Sequence, residues 1–419
     1  MDQNNHYEAP HRVVITGMGL ISPLGNNVQT SWESLVNGKS GCDRITLFDT
    51  SNVDIKIACE VKGFDPAAHF SARDARRMDR CAQFAVTAGK AALEDASFTV
   101  TDENAYDTGI VLGSGIGGVG TLTTEHAVML NKGPNRVSPF AVPMMLPDTA
   151  TGQMSIHLRI KGPNFCVVSA CASGTNAVGE AFELIRAGRA SAVLAGGTEA
   201  PINGFAIAAF HNMGALSNSN DDPQHACRPF DAHRNGFVTG EGAGILVMES
   251  LDHAKARGAH IYAEIIGYGV TNDAYHITAP DSVGPAVAMR MALKQAGSRA
   301  ARIDYVNAHG TSTSLNDSNE TKALKSVFGE GAYDLTISST KSMSGHLLGA
   351  AGAFEAIACV KAIKEGIVPP TINYEHLDPE CDLNYTPNVA IRKPVHVAMS
   401  NSFGFGGHNA SIIISEFTE

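Results

Sequence analysis

Asn164 to Gly188 reads NFCVVSACASGTNAVGEAFELIRAG, and its changes of character along the chain decide the fold. Phe165-Cys166-Val167-Val168 is a short apolar run with β-branched residues, which predicts a buried strand. Ser169-Ala170-Cys171-Ala172-Ser173-Gly174 breaks that run with small side chains. Ala177, Val178, Ala181, Phe182, Leu184 and Ile185 then recur at helical spacing until Gly188 supplies a stop. Cys171 is thus expected at a strand-to-helix turn. Unpaired N–H groups and the positive end of the helix dipole there favour thiolate, the nucleophilic form of cysteine. Small neighbours leave room for a bulky electrophile. A buried structural cysteine fits the same stretch, so the rest of the chain must decide.

The same grammar recurs on both sides. Arg12 to Gly19 reads as a strand ending in a glycine turn, and Ser31 to Val36 as a short helix. A basic run, Ser71 to Arg80, leads into an Ala-rich helix to about Asp95. Thr108 to Leu112 is a strand that ends in Gly113-Ser114-Gly115-Ile116-Gly117-Gly118. These glycines match a dinucleotide fingerprint literally. The fingerprint also needs an acidic residue closing a following strand about 20 residues on, and no strand signal follows here. The glycines are therefore read as places of close backbone approach. Ser191 to Gly197, Gly244 to Glu249 and Ile261 to Tyr268 are further strands, the last two flanking a helix at Leu251 to Arg257. Strands alternating with helices predict an α/β protein with mainly parallel sheets covered on both faces.

The second half repeats the pattern. Ile303 to Ala308 is a strand ending at His309-Gly310-Thr311. Leu335 to Ser339 is another, followed by Thr340-Lys341-Ser342-Met343-Ser344-Gly345-His346 and an Ala/Gly-rich helix that stops at Gly366. This looks like the cysteine unit again, with lysine and histidine in place of the thiol. Two related halves are expected, 12–258 carrying the cysteine and 259–419 carrying the histidines.

Bulk composition narrows the function classes. A chain of 419 residues, 44% hydrophobic, supports a large core, and a net charge of −11 argues against general nucleic-acid binding. No apolar run reaches membrane-spanning length, and MDQNNHYEAPHR at the start lacks the apolar run of a secretory signal. The eight cysteines are dispersed without a CxxC pair, which predicts reduced cytosolic thiols and neither a disulfide framework nor a zinc site.

Cys171, His309 and His346 all fall at strand ends or in the turns beyond, where open α/β sheets bind ligands. His309 and His346 each follow a buried strand in a Gly/Ser/Thr-rich turn. Surface or structural roles are assigned to His225, His233, His253, His260 and His396 among the sixteen histidines.

Four motifs in this order resemble the β-ketoacyl-acyl-carrier-protein synthases: Ala170-Cys171-Ala172-Ser173-Gly174, His309-Gly310-Thr311-Ser312-Thr313, Lys341-Ser342-Met343-Ser344-Gly345-His346 and Asn401-Ser402-Phe403-Gly404-Phe405-Gly406-Gly407. The resemblance runs from Arg12 to the C-terminus and is closest to the elongating condensing enzymes of fatty acid synthesis. It implies a thiolase-like fold, two pseudo-repeated α/β halves in a layered αβαβα arrangement. It implies that Cys171 takes an acyl chain from acyl carrier protein, and that His309 and His346 stabilise the enolate left when malonyl-carrier loses CO₂. Backbone N–H groups of Cys171 and Phe405 would form the oxyanion hole. Lys341 would pair with Glu355 behind the histidine loop. Thr311 and Thr313 would touch the pantetheine arm, Phe403 and Phe405 would gate the acyl site, and Ile116 would line its floor.

No metal or other cofactor is implied, the substrates arriving on phosphopantetheine. A cytoplasmic homodimer is implied. Arg73, Arg76, Arg77 and Arg136 match where the family docks its acidic carrier. Arg73 and Arg77, four apart, are read as sharing a helix face. Gly214 and His408 depart from some relatives, which carry a basic residue and Thr there. A coenzyme A-dependent thiolase-like enzyme, a polyketide ketosynthase and a non-catalytic subunit of the same fold are the competing readings. The His346 motif speaks against the first, and the presence of Cys171 against the last.

Overall fold

A computed structural model describes residues 10–300 and 302–419; most of the polar opening segment, residues 1–9, lies outside the described residues. Ten strands make the central sheet: β1 (Val13–Ile21), β2 (Thr108–Gly113), β3 (Asn164–Val167), β4 (Ala192–Glu199), β5 (Gly242–Ser250), β6 (Ala263–Asn272), β7 (Tyr305–Asn307), β8 (Thr336–Ser338), β9 (Val397–Gly404) and β10 (His408–Ser415). Across the sheet they run β8-β7-β9-β10-β6-β1-β5-β4-β2-β3. Outward from the middle, the first half reads β1-β5-β4-β2-β3 and the second β6-β10-β9-β7-β8. The two orders are identical once counted from each half's first strand, so the repeat seen in the sequence is a repeat of topology. The halves meet along three residue pairs, Val13 with Ile265, Val14 with Glu264 and Ile15 with Ala263.

The expectation of a mainly parallel sheet is corrected. Parallel pairing is confined to the flanks, β4-β2-β3 and β9-β7-β8. In the middle, β4-β5-β1-β6-β10-β9 are all antiparallel to their neighbours. The last strand of each half returns against its first, and that return reverses direction. Continuous apolar runs remain because the central strands are covered on both faces. Val111, Val193, Leu246 and Ile412 face the inner cluster, shared with the helices Ser173–Arg186 and Ala351–Glu365. Ile110, Leu194 and Val247 face the helix Arg80–Asp95 on one outer side, and Val306, Met399 and Ile413 face the helix Val283–Ala296 on the other. The layers are therefore αβαβα.

Three local expectations are corrected. The Phe165–Val168 run is not a buried strand: its strand part is the edge strand β3, ending at Val167, and Phe165 on it is 39% exposed while Val168, just past its end, is 56% exposed. Cys42 and Cys59 form a disulfide, against the expectation of reduced thiols throughout. The cause is local, since Asp43 pairs with Ala58 in a small antiparallel ladder that sets the two cysteines side by side. Finally, Arg73 and Arg77 share no helix face. The helix Ala72–Ala75 ends at Arg76, and Asp79 caps a new helix beginning at Arg80, leaving Arg77 between them.

Candidate active site

Strand β3 leads into a turn in which Ala170 takes a left-handed φ of 50°, then one 3-10 turn, Ala170–Ala172, and then the helix Ser173–Arg186. Ser173 Oγ closes the turn by donating to the Ala170 carbonyl at 2.7 Å while accepting from the Ser169 N–H at 2.9 Å. This fixes Cys171 at the head of the helix, 8% exposed. The second half builds the same device: Leu348 has φ 49°, the 3-10 turn is Leu348–Ala350, and the helix Ala351–Glu365 follows. Here the sequence reading is corrected. Gly349, not Lys341 or His346, occupies the place equivalent to Cys171. Lys341 lies earlier, in the short helix Lys341–Ser344, and His346 just before the turn.

The Cys171 sulfur and one ring nitrogen from each of His309 and His346 all lie within 4.8 Å of one another. The histidine rings stand edge to face with centroids 5.4 Å apart, and Phe403 packs against His309 at 5.7 Å. A cavity of about 250 Å³ opens over the three, lined also by Thr311, Thr313, Phe403, Gly404 and Phe405. The Thr311 and Thr313 hydroxyls are 2.9 Å apart. Ile116 does not line this cavity. It packs in the apolar cluster behind Cys171, with Ile202, Phe210 and Leu348.

Electrostatics correct one expectation and refine another. Burial pushes the Cys171 thiol up to about 12, against Lys341 and the backbone N–H groups of Phe405 and Cys171 itself. The helix terminus therefore acts on the sulfur without producing a resting thiolate. Both histidines are driven well below the ordinary imidazole range, by burial first and by Lys341 second, so both are neutral. The Leu348 N–H donates to His346 Nδ1 at 3.3 Å, which leaves the proton on Nε2. That Nε2 is buried and has no hydrogen-bond partner among the described residues. Lys341 Nζ pairs with Glu355 Oε1, both side chains being 1% exposed, and burial raises Glu355 to about 7.

Two further buried carboxylates hold the site and were not singled out in the sequence. Glu320 accepts the backbone N–H groups of His309 and Gly310 at 2.9 and 2.8 Å. Glu199, at the end of β4, accepts from Ser114 Oγ and from the N–H groups of Gly115, Ile116 and Gly349. It thus ties the glycine turn of one half to the second half's turn. An acidic residue ending an otherwise apolar strand was the available signal for Glu199. Gly404 also has a positional reason: a Cβ there would lie 2.8 Å from the Ser169 carbonyl and 3.0 Å from the Cys171 nitrogen. Gly404→Ala is expected to lower the condensation rate by roughly 10²-fold, as sub-ångström displacement of a nucleophile can. Steady-state rates on protein with an unchanged melting profile check this.

Family models match both halves, "Beta-ketoacyl synthase, N-terminal domain" over residues 11–254 and "Beta-ketoacyl synthase, C-terminal domain" over 262–375. The chain belongs to the β-ketoacyl synthase family. Within it, the chain is 53% identical over 408 residues to 3-oxoacyl-[acyl-carrier-protein] synthase 2 of Staphylococcus aureus (strain N315), covering 97% of this chain and 98% of the relative. The synthase of the same name from Synechocystis sp. is 50% identical over the same shares. Among solved structures, a β-ketoacyl synthase from Burkholderia phymatum STM815 superposes with TM-score 0.91 at 38% identity, covering 97% of this chain and all of that one. A type II PKS ketosynthase, solved in complex with its acyl-carrier protein, superposes with TM-score 0.88 at 35% identity, covering 97% of this chain and all of that one.

Of the carrier-docking arginines expected in this family, Arg73, Arg76 and Arg136 are exposed. Arg77 lies over the Phe140 ring at 4.3 Å, which brings the segment after Arg136 against the Arg73–Arg77 segment. Among the described residues, no helix is long and apolar enough to cross a membrane.

Proposed function

We propose that this chain is an acyltransferase, a 3-oxoacyl-[acyl-carrier-protein] synthase that elongates fatty acyl chains, with Cys171, His309 and His346 as its reacting groups. The Cys171 thiol attacks an acyl thioester on acyl carrier protein, giving acyl-cysteine and the carrier thiol. The thiol is protonated at rest, so its proton leaves as the sulfur attacks and ends on the departing carrier sulfur. N–H groups of Cys171 and Phe405 stabilise the oxyanion of that exchange. Malonyl-carrier then binds, and His346 Nε2–H and His309 hydrogen-bond its thioester oxygen as CO₂ departs and the enolate forms. The enolate carbon attacks the acyl-cysteine carbonyl. The new carbon–carbon bond forms as the acyl carbon–sulfur bond of Cys171 breaks, giving 3-oxoacyl-carrier and a thiolate that takes a proton from water to restore the resting thiol.

The observation that carries this reading is the unpartnered Nε2 of buried, neutral His346, held in one tautomer beside the thiol. No cofactor is required for thioester exchange and decarboxylation. Thr311 and Thr313 line the path of the pantetheine arm, Phe403 and Phe405 gate the acyl site, and Ile116 shapes the apolar space behind Cys171. Lys341, paired with Glu355, holds the histidine loop and biases both imidazoles to the neutral form. Arg73, Arg76, Arg77 and Arg136 dock the carrier. The halves divide at 258/259. The protein works in the cytoplasm as a homodimer, and the edge strand β3, with exposed Phe165 on it and exposed Val168 just past its end, supports pairing there.

The higher identity to synthase 2 relatives, 53% against 35% for the polyketide ketosynthase, favours fatty acid elongation. Incubation with fatty acyl-carrier followed by mass spectrometry tests the proposal: the acyl mass is expected on the peptide containing Cys171. Acylation by polyketide intermediates alone, or by coenzyme A thioesters alone, refutes it.

A further inference from the structure

Two imidazoles outside the active site lie almost in contact. The rings of His233 and His376 have centroids 3.9 Å apart at an angle of 32°. Both are exposed, and both stand over Asp231, whose side chain is fully buried. Asp231 Oδ1 accepts the His233 N–H at 2.8 Å, and Oδ2 accepts the N–H groups of Glu375 and His376 at 2.7 and 2.6 Å. The Ala232 N–H donates to the His376 carbonyl at 2.9 Å. One carboxylate thus fixes the backbone beneath both rings.

We propose that Asp231, His233 and His376 form a transition-metal site separate from the Cys171 centre, with Zn²⁺ as the fitting ion. One ligating atom from each residue lies within 4.8 Å of the others, and His376 Nδ1 is 3.6 Å from Asp231 Oδ2. A metal about 2.0–2.2 Å from nitrogen and oxygen ligands needs only small ring rotations from this arrangement, and exposed rings are free to make them. Two imidazoles with one carboxylate select Zn²⁺, Ni²⁺ or Cu²⁺ over Mg²⁺ or Ca²⁺, with water completing the shell. Two cations stand beside the cluster: Arg228, 3.7 Å from Asp231 and 3.8 Å from Glu375, and Arg234, which donates to the Asp231 carbonyl at 2.9 Å and pairs with Asp378. The three carboxylates Asp231, Glu375 and Asp378 outnumber the two guanidinium groups, so the local charge still favours a cation.

The bound ion cross-links two segments. Arg234, one residue beyond His233, donates to the Thr313 and Ser314 carbonyls and pairs with Asp378, two residues beyond His376. The metal therefore stiffens the frame that holds Thr313 at the mouth of the active site.

The Cys171 cluster has comparable spacing, so the test uses chelator-treated full-length protein alkylated at Cys171 with iodoacetamide. Calorimetric titration with Zn²⁺ alone is expected to show one equivalent bound and a raised melting temperature, and Mg²⁺ none. His233→Ala and His376→Ala are each expected to weaken Zn²⁺ binding by more than about 10-fold and to abolish the melting shift. Before alkylation both variants are expected to keep wild-type condensation activity, which shows that they fold. Absence of Zn²⁺ binding up to millimolar concentration, or equal affinity in both variants and the parent, overturns the proposal.

Discussion

Cys171→Ser is expected to abolish condensation, with a loss on the order of 10⁶-fold, the scale seen when a covalent nucleophile is removed. Cys166→Ser is expected to leave the rate largely intact. Acidity does not separate the two thiols, since burial pushes both up to about 12. Position separates them. Cys166 lies on the edge strand β3, whereas Cys171 heads a helix with two backbone N–H groups facing its sulfur and both histidines within reach. Rates of 3-oxoacyl-carrier formation for the two variants, with thermal melting to confirm folding, make the comparison. Equal losses would undermine the assignment of Cys171 as the nucleophile.

His309→Ala and His346→Ala are each expected to lower malonyl-carrier decarboxylation by ~10²–10³-fold, the usual cost of one oxyanion donor. Acylation of Cys171 should suffer less, because its oxyanion is served by backbone N–H groups. CO₂ release and acyl-enzyme formation, measured separately on each variant, give the two numbers. The pH profile adds a sign. Burial and Lys341 keep both imidazoles neutral below their ordinary range. Neither gains a proton as pH falls through 6.5, so the decarboxylation rate should show no loss centred there. The same depression means that the unfolded chain binds protons at these histidines before the folded one does. Their contribution to stability is therefore present above pH 6.5 and is lost as the pH falls below it.

The chemistry was more legible in the sequence than its setting. Cys171, His309 and His346 could be found because each follows an apolar run and sits among small residues, a local pattern. The strand directions could not, because a covered antiparallel strand and a covered parallel one have the same apolar composition. The edge position of Phe165–Val168 was hidden for a related reason: an apolar edge reads like a core strand. The Cys42–Cys59 pair depends on a ladder of two residues per strand, too short to leave a period. Glu199 acts through backbone N–H groups far off in sequence, with its place at the end of an apolar strand as the one clue, and Glu320 reaches back ten and eleven residues from within a polar helix, where an acidic side chain reads as solvated. The thiol's acidity is a balance between burial and the helix terminus, and only the folded structure shows how deep the sulfur lies.

The twin turns at Ala170–Ala172 and Leu348–Ala350 bear on how such a chain could arise. Two copies of one strand–turn–helix unit face each other, yet only one carries a reactive side chain. A Cβ at Gly349 would lie 2.5 Å from the Gly115 nitrogen and 2.6 Å from Glu199. The second copy has no room for a nucleophile because its bare backbone is the wall against which the first is set. A chain with a side chain on both turns could not close its halves this tightly, so a bare second turn is the condition for precision in the first.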